Sequence, residues 1–276
     1  MEIPQYWVKA ESSCKNGDGK EWKASGWGWS DSSEAEAQKR AEERASRVAH
    51  ALAHGKELKG WYLYSDRPIR EMIVERHPFG VITRTGYGSK VLNCPSCMFV
   101  DVDCPPPPSG LGAFFGRLFG GAVEDPGAAA LSRLETFQQK NQQYSFRIYK
   151  TKNGFRYLVS SGEFNPESEE VARIMDALGA DPLYAKLCRA QKCFRARVSP
   201  KPWRCGLTSP SSRFPFASSE ERERFRVWEK DYDSAAVACS TAKYLKSIGS
   251  KQADSLGAII ELHDSLCRAN GESPLA

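Results

Sequence analysis

Met98-Phe99-Val100-Asp101-Val102-Asp103 is a short apolar run that closes on two acids. Apolar residues in a row, with Cys-x-x-Cys before them and a proline run after, read as a buried central strand. Side chains two apart on a strand share a face, so Asp101 and Asp103 project together where the strand ends. Two ionised carboxylates about 6 Å apart repel, and a divalent cation removes that cost. Mg²⁺ or Mn²⁺ suits such a pair, because both take oxygen ligands and keep waters for substrate phosphates. Asp101 and Asp103 are therefore the expected metal ligands and catalytic residues. The bland alternative is two solvated acids at a strand end.

Outward from this strand, positive charge collects in one part of the chain. From Tyr144 to Phe214 there are 13 Lys or Arg against 6 Asp or Glu, a local +7. The whole chain carries +5, so the remainder stands at −2. In Cys193-Phe-Arg-Ala-Arg-Val198, Arg195 and Arg197 share one strand face. Asn153-Gly154 between alternating segments signals a hairpin, whose two strands offer Arg147 and Arg156 on one face. Lys201 and Arg204 follow soon after. Guanidinium groups hold phosphate oxygens through paired hydrogen bonds, so Arg147, Arg195, Arg197, Lys201 and Arg204 are expected phosphate ligands. Trp203 is placed to stack on a base. The competing reading pairs these arginines with acids on nearby helices and puts Trp203 in the core.

The rest of the sequence sets the frame. The chain of 276 residues, 41% hydrophobic and 26% charged, is long enough to bury a core. No run approaches the roughly 20 apolar residues of a membrane span. The first residues lack a signal-peptide pattern, which makes the cytoplasm the expected location. Nine scattered cysteines without a secretion signal read as reduced thiols. The periodicities predict an α+β fold: a central mixed sheet with flanking helices, a small N-terminal β-β-α unit and a helical C-terminus. Residues 1–58 form the β-β-α unit, with Asp31 as the helix cap. Residues 59–217 form the core, with a strand at Trp61–Tyr64, a turn at Asp66 opening a short helix through Val74, and a loop insertion over 104–127. Residues 218–276 are read as helices, the last presenting Leu256, Ile259, Ile260 and His263 on one face.

Phe99-Val-Asp101-Val-Asp103, followed by a hairpin bearing Thr151-Lys-Asn-Gly154-Phe-Arg156, resembles the archaeo-eukaryotic primase-polymerase superfamily. That family's core has an Asp-hydrophobic-Asp strand, matched by Asp101 and Asp103. A later strand opens on a glycine turn, matched by Gly154, and carries a nucleotide-contacting histidine. Arg156 stands where that histidine would be. No third acid can be placed, since Cys193–Val198 contains none. The likeness implies metal-dependent nucleotidyl transfer with Arg156 as a catalytic residue. The same segments also resemble uncharacterised bacterial proteins, which implies no activity.

Other signals are weaker. Cys94-Pro-Ser-Cys97 has the spacing of half a zinc site, without a second pair at the usual gap, and reads first as buried thiols. Thr85-Gly-Tyr-Gly-Ser-Lys90 lacks the spacing of a phosphate-cradling Walker loop. His50, His54, His77 and His263 define no triad. The leading expectation is Mg²⁺- or Mn²⁺-dependent nucleotidyl or phosphoryl transfer on a nucleotide or nucleic acid. The rivals are a nucleic-acid-binding protein without catalysis and a metal-dependent nuclease. No membrane partner is expected.

Overall fold

Small residues decide how the chain begins. The computed structural model describes residues 1–55, 68–104 and 125–276. β1 (Tyr6–Lys15) and β2 (Glu21–Ser30) pair antiparallel, with Tyr6 opposite Ser30. α1 (Glu34–Ala53) lies on this ribbon through Ala37, Ala41, Ala45 and Ala49, all fully buried. Gly28 permits that approach, because a Cβ there would meet the Ala37 carbonyl and the Ala41 backbone nitrogen. The free edge of β2 is closed by α1: Arg40 and Arg44 donate to the carbonyls of Trp29 and Trp27, at 3.0 and 3.3 Å. The expected β-β-α unit is thus present, with one change of cap. Ser33 accepts the Glu36 N–H, while Asp31 accepts the Gln5 N–H at 3.2 Å.

The remaining strands form two sheets of four. One has the order β3 (Met72–His77), β4 (Gly80–Arg84), β5 (Lys90–Cys94), β9 (Phe194–Arg197). The other runs β10 (Ala242–Ile248), β7 (Phe146–Thr151), β8 (Gly154–Val159), β6 (Phe99–Asp103). Every ladder is antiparallel. The α+β class holds, but the expected mixed sheet is replaced by antiparallel ones. β6 and β7 run the same way, yet β8 inserts between them, so no parallel pair forms.

Among the described residues five further helices cover the sheets: α2 (Pro126–Lys140), α3 (Glu169–Leu178), α4 (Pro182–Gln191), α5 (Ser219–Ala236) and α6 (Gly257–Cys267). Asp181 caps α4 ahead of Pro182, and Gly179 ends α3 in the left-handed region at φ 72°. The main core joins Phe99, Val100, Phe146, Ile148 and Tyr157 to Leu134 of α2, Ile174 of α3 and Ile259 of α6. A smaller cluster of Ile3, Ile69, Val81 and Cys193 fastens the N-terminus to the first sheet.

Two sequence readings change. Residues 72–74 are strand, not the end of a helix, because Met72 and Ile73 pair with Arg84 and Thr83. Residues 218–276 are not helical throughout: β10 pairs along β7 at the sheet edge, Ala242 opposite Thr151. Beyond the buried Ala242 its residues are half-exposed or exposed, without the clean alternation that marks a strand. Trp61–Tyr64 and most of the 104–127 insertion lie outside the described residues. Among the described residues no helix is long and apolar enough to cross a membrane.

Candidate phosphate-binding site

β6 is an edge strand whose outer side is satisfied by α4. Tyr184 Oη donates to the Phe99 carbonyl at 2.9 Å, and the Asp181 N–H to the Asp101 carbonyl at 3.2 Å. On its inner side Asp101 stands opposite Arg156 of β8, and Asp103 opposite Gly154. Asp101 and Asp103 do share a face, as their spacing demands. Their environments differ. Arg156 Nε and Nη2 donate to the two Asp101 oxygens at 2.7 and 2.9 Å, while Asp103 is exposed. Arg156 is 1% exposed and also donates to the Arg197 carbonyl at 2.9 Å, tying the two four-stranded sheets together. Burial works against its charge, but the Asp101 carboxylate outweighs burial and holds the guanidinium protonated.

Arg156 is therefore corrected from a ligand-facing residue to an internal tie, since no phosphate reaches it in this packing. Arg147 and Arg195 are corrected in the same way. Arg147 donates to Asp264 at 2.6 Å and to Tyr149 Oη at 2.9 Å. Arg195 donates to both Glu71 oxygens, at 2.6 and 2.8 Å. The helix-paired alternative is the correct one for Arg147.

Arg197, Lys201 and Arg204 behave differently. They sit at the end of β9 and around the 3-10 turn Pro202–Arg204. Among the described residues none of the three side chains makes an ion pair, and Arg197 Nε is buried without a hydrogen-bond partner. Burial lowers the Lys201 ammonium, and the charges of Arg197 and Arg204 lower it further while Asp103 opposes them. Arg204 is lowered by burial and by Arg197 in the same manner. Arg197 and Arg204 therefore press on Lys201, and Arg197 on Arg204, beside Asp103. Trp203 is 55% exposed and lies next to them, with Lys201 Nζ 5.4 Å from its ring centre and Tyr87 at 5.9 Å. Trp203 is not core. Tyr87 reaches it from the β4–β5 loop, where Gly88 at φ 106° leaves room for the Trp228 ring.

The donor set does not make a preformed cation site. One carboxylate is engaged by Arg156, and among the described residues no three His, Cys, Asp or Glu side chains come together to hold a metal. The same finding leaves Cys94 and Cys97 without a second half for zinc. Counting Arg156, Arg197, Lys201 and Arg204 against Asp101 and Asp103, the locality carries a formal +2. That field draws anions and repels free cations.

Sequence reasoning missed a network behind the site. His263 is fully buried; its Nε2 lies 3.4 Å from Arg156 Nη1, and its Nδ1 3.1 Å from Asp264. Tyr149 Oη donates to Asp264 at 2.6 Å. The available signal was a His-Asp pair at positions 263–264 beside the apolar face of α6. Cys267 Sγ lies 3.5 Å from His263 Nε2, which mimics a nucleophile-base pair, but both side chains are fully buried and a substrate of nucleotide or peptide size does not reach them. Compared with known proteins, the chain matches no family model, no curated protein and no solved structure.

Proposed function

We propose that this protein binds the phosphates of a nucleotide or nucleic acid on the surface formed by Arg197, Lys201 and Arg204, with Trp203 and Tyr87 stacking on bases. One observation carries the reading: Lys201 and Arg204 are partly desolvated beside Arg197, lack ion-pair partners among the described residues, and have their charged forms disfavoured until an anion arrives. Arg147, Arg156 and Arg195 are satisfied by carboxylates; Arg197, Lys201 and Arg204 are not, among the described residues.

A second reading, Mg²⁺- or Mn²⁺-dependent nucleotidyl or phosphoryl transfer, is favoured by Asp101 remaining 33% exposed beside Asp103. The two carboxylates would meet a cation that arrives on substrate phosphates, which would complete its shell with water. Its chemistry would be to neutralise charge on the transferred phosphate. In either reading Lys201 and Arg204 hold phosphate oxygens.

The test is fluorescence anisotropy with a labelled oligonucleotide over a salt series, on the native chain and on Lys201→Ala/Arg204→Ala. The expected result is weaker binding in the variant and a salt slope reduced by about 0.7 per lost contact on single strands. Equal affinity and slope in the two proteins would overturn the proposal.

A further inference from the structure

The turn between β5 and β6, Cys94-Pro95-Ser96-Cys97, plays no part in phosphate binding. It carries the chain from one four-stranded sheet to the other. Cys94 ends β5 opposite Phe194 of β9, and Cys97 stands just ahead of β6. The Cys97 N–H donates to Cys94 Sγ at 3.1 Å. That contact folds the two-residue turn back so that Cys94 Sγ lies against the residue carrying the second thiol. The Cys94 thiol donates in turn to the Phe79 carbonyl at 3.2 Å.

At two other buried cysteines burial is the largest influence, and at Cys188 it outweighs hydrogen bonds from Tyr184 and the Arg195 backbone. Burial pushes Cys188 up to about 11 and Cys193 up to about 12. Cys94 is just as enclosed at 1% exposure, yet the Cys97 thiol and the N–H groups of Ser96 and Cys97 bring it down to about 7. Cys97, which supplies that hydrogen bond, is pushed up. The Cys97 N–H aimed at Cys94 Sγ favours charge on that sulfur, which makes Cys94 the nucleophile and Cys97 its resolving partner.

We propose that Cys94 and Cys97 form a reversible disulfide, a two-electron switch built into the turn that joins the sheets. Both sulfurs are enclosed while the tip of the turn, Pro95, is exposed. A small neutral oxidant suits that site better than another protein's disulfide, and hydrogen peroxide is of this class. The Cys94 thiolate attacks one peroxide oxygen; the O–O bond breaks, and the departing hydroxide takes a proton and leaves as water. The Cys97 sulfur then attacks the resulting sulfenic acid at sulfur; the S–O bond breaks, and the hydroxide leaves with the Cys97 proton as a second water. Two thiols and one peroxide thus give one disulfide and two waters, and the peroxide receives both electrons.

The test uses the full chain, reduced, freed of reductant and treated with hydrogen peroxide while folded. It is then unfolded in iodoacetamide, digested with trypsin and read by tandem mass spectrometry of the Val91–Arg117 peptide, which also contains Cys104. Expected is alkylation at Cys104 alone, and at all three cysteines when dithiothreitol precedes the iodoacetamide. Alkylation of both Cys94 and Cys97 after peroxide, linkage of either to Cys104, or over-oxidation of Cys94 beside an alkylated Cys97 would each overturn the proposal. In Cys97→Ala the Cys94 sulfenic acid should persist and be trapped by dimedone. Should that variant not fold, the native peptide decides by itself.

Discussion

Asp101 and Arg156 face each other across the β6–β8 ladder and share two parallel hydrogen bonds, yet one is a third exposed and the other is sealed inside. That difference makes the pair's response to mutation unequal. Arg156→Met leaves a carboxylate that water can reach, and should cost about 1–2 kcal/mol, the scale of lost hydrogen bonds. Asp101→Val leaves a buried guanidinium with only the Arg197 carbonyl and His263 beside it, and should cost about 3–5 kcal/mol. The double variant should recover most of the larger loss. Urea unfolding of the three proteins measures this. Equal losses in the two single variants would mean that Arg156 is not enclosed as described.

Asp103 separates binding from catalysis. It is the acid that opposes the mutual repulsion of Lys201 and Arg204, and it is exposed. Asp103→Asn removes a negative charge beside Lys201 and Arg204 without disturbing a buried pair. If the protein only binds, affinity for an oligonucleotide should rise by a fewfold at low salt. If it transfers phosphoryl groups, turnover with Mg²⁺ or Mn²⁺ should fall by at least about a hundredfold while the fold persists. Nucleotide turnover and anisotropy on one preparation distinguish the outcomes.

Acid stability should depend on Asp264. Burial raises its carboxyl, but hydrogen bonds from His263 and Tyr149 and the charge of Arg147 outweigh burial and hold it below its ordinary value. A carboxyl depressed by folding stabilises the native state fully above its unfolded pKa of about 3.9, and loses that contribution as pH falls through the lower folded value. Asp264→Asn should therefore melt earlier than the native chain at neutral pH. The gap in melting temperature should narrow below about pH 4. A gap that stays constant down to pH 2 would show that the charge of Asp264 does not matter.

What could be read in advance followed from strong local signals. The caps at Ser168, Asp181 and Gly179, the alternation in Phe194–Arg197 and the apolar run at Phe99 each fix an element through nearest neighbours. The Asn153-Gly154 hairpin was placed one residue late: the turn residues are Lys152 and Asn153, and Thr151 pairs with Gly154. Arg147 and Arg156 still share a face, because the shift moves each strand by one residue and so preserves parity. The arginines' partners were not legible. Arg147 meets Asp264, 117 positions away, and Arg195 meets Glu71, 124 positions away. A run of basic residues looks the same whether distant acids neutralise it or not, so only tertiary packing could separate Arg197, Lys201 and Arg204 from the rest.

The N-terminal unit offers a test of how independent its packing is. α1 rests on β1 and β2 through a row of buried alanines, and at Gly28 the helix backbone fills the place of a side chain. Gly28→Ala must push α1 away from the ribbon, with an overpacking penalty of about 1–3 kcal/mol. The buried alanines Ala37 and Ala41 would lose their contacts together. The main core of Phe99, Phe146 and Tyr157 takes no part in that contact. Hydrogen exchange should therefore speed up in residues 6–53 of the variant and stay unchanged in β6, β7 and β8. Uniform acceleration through all strands would instead show that the unit and the core unfold as one.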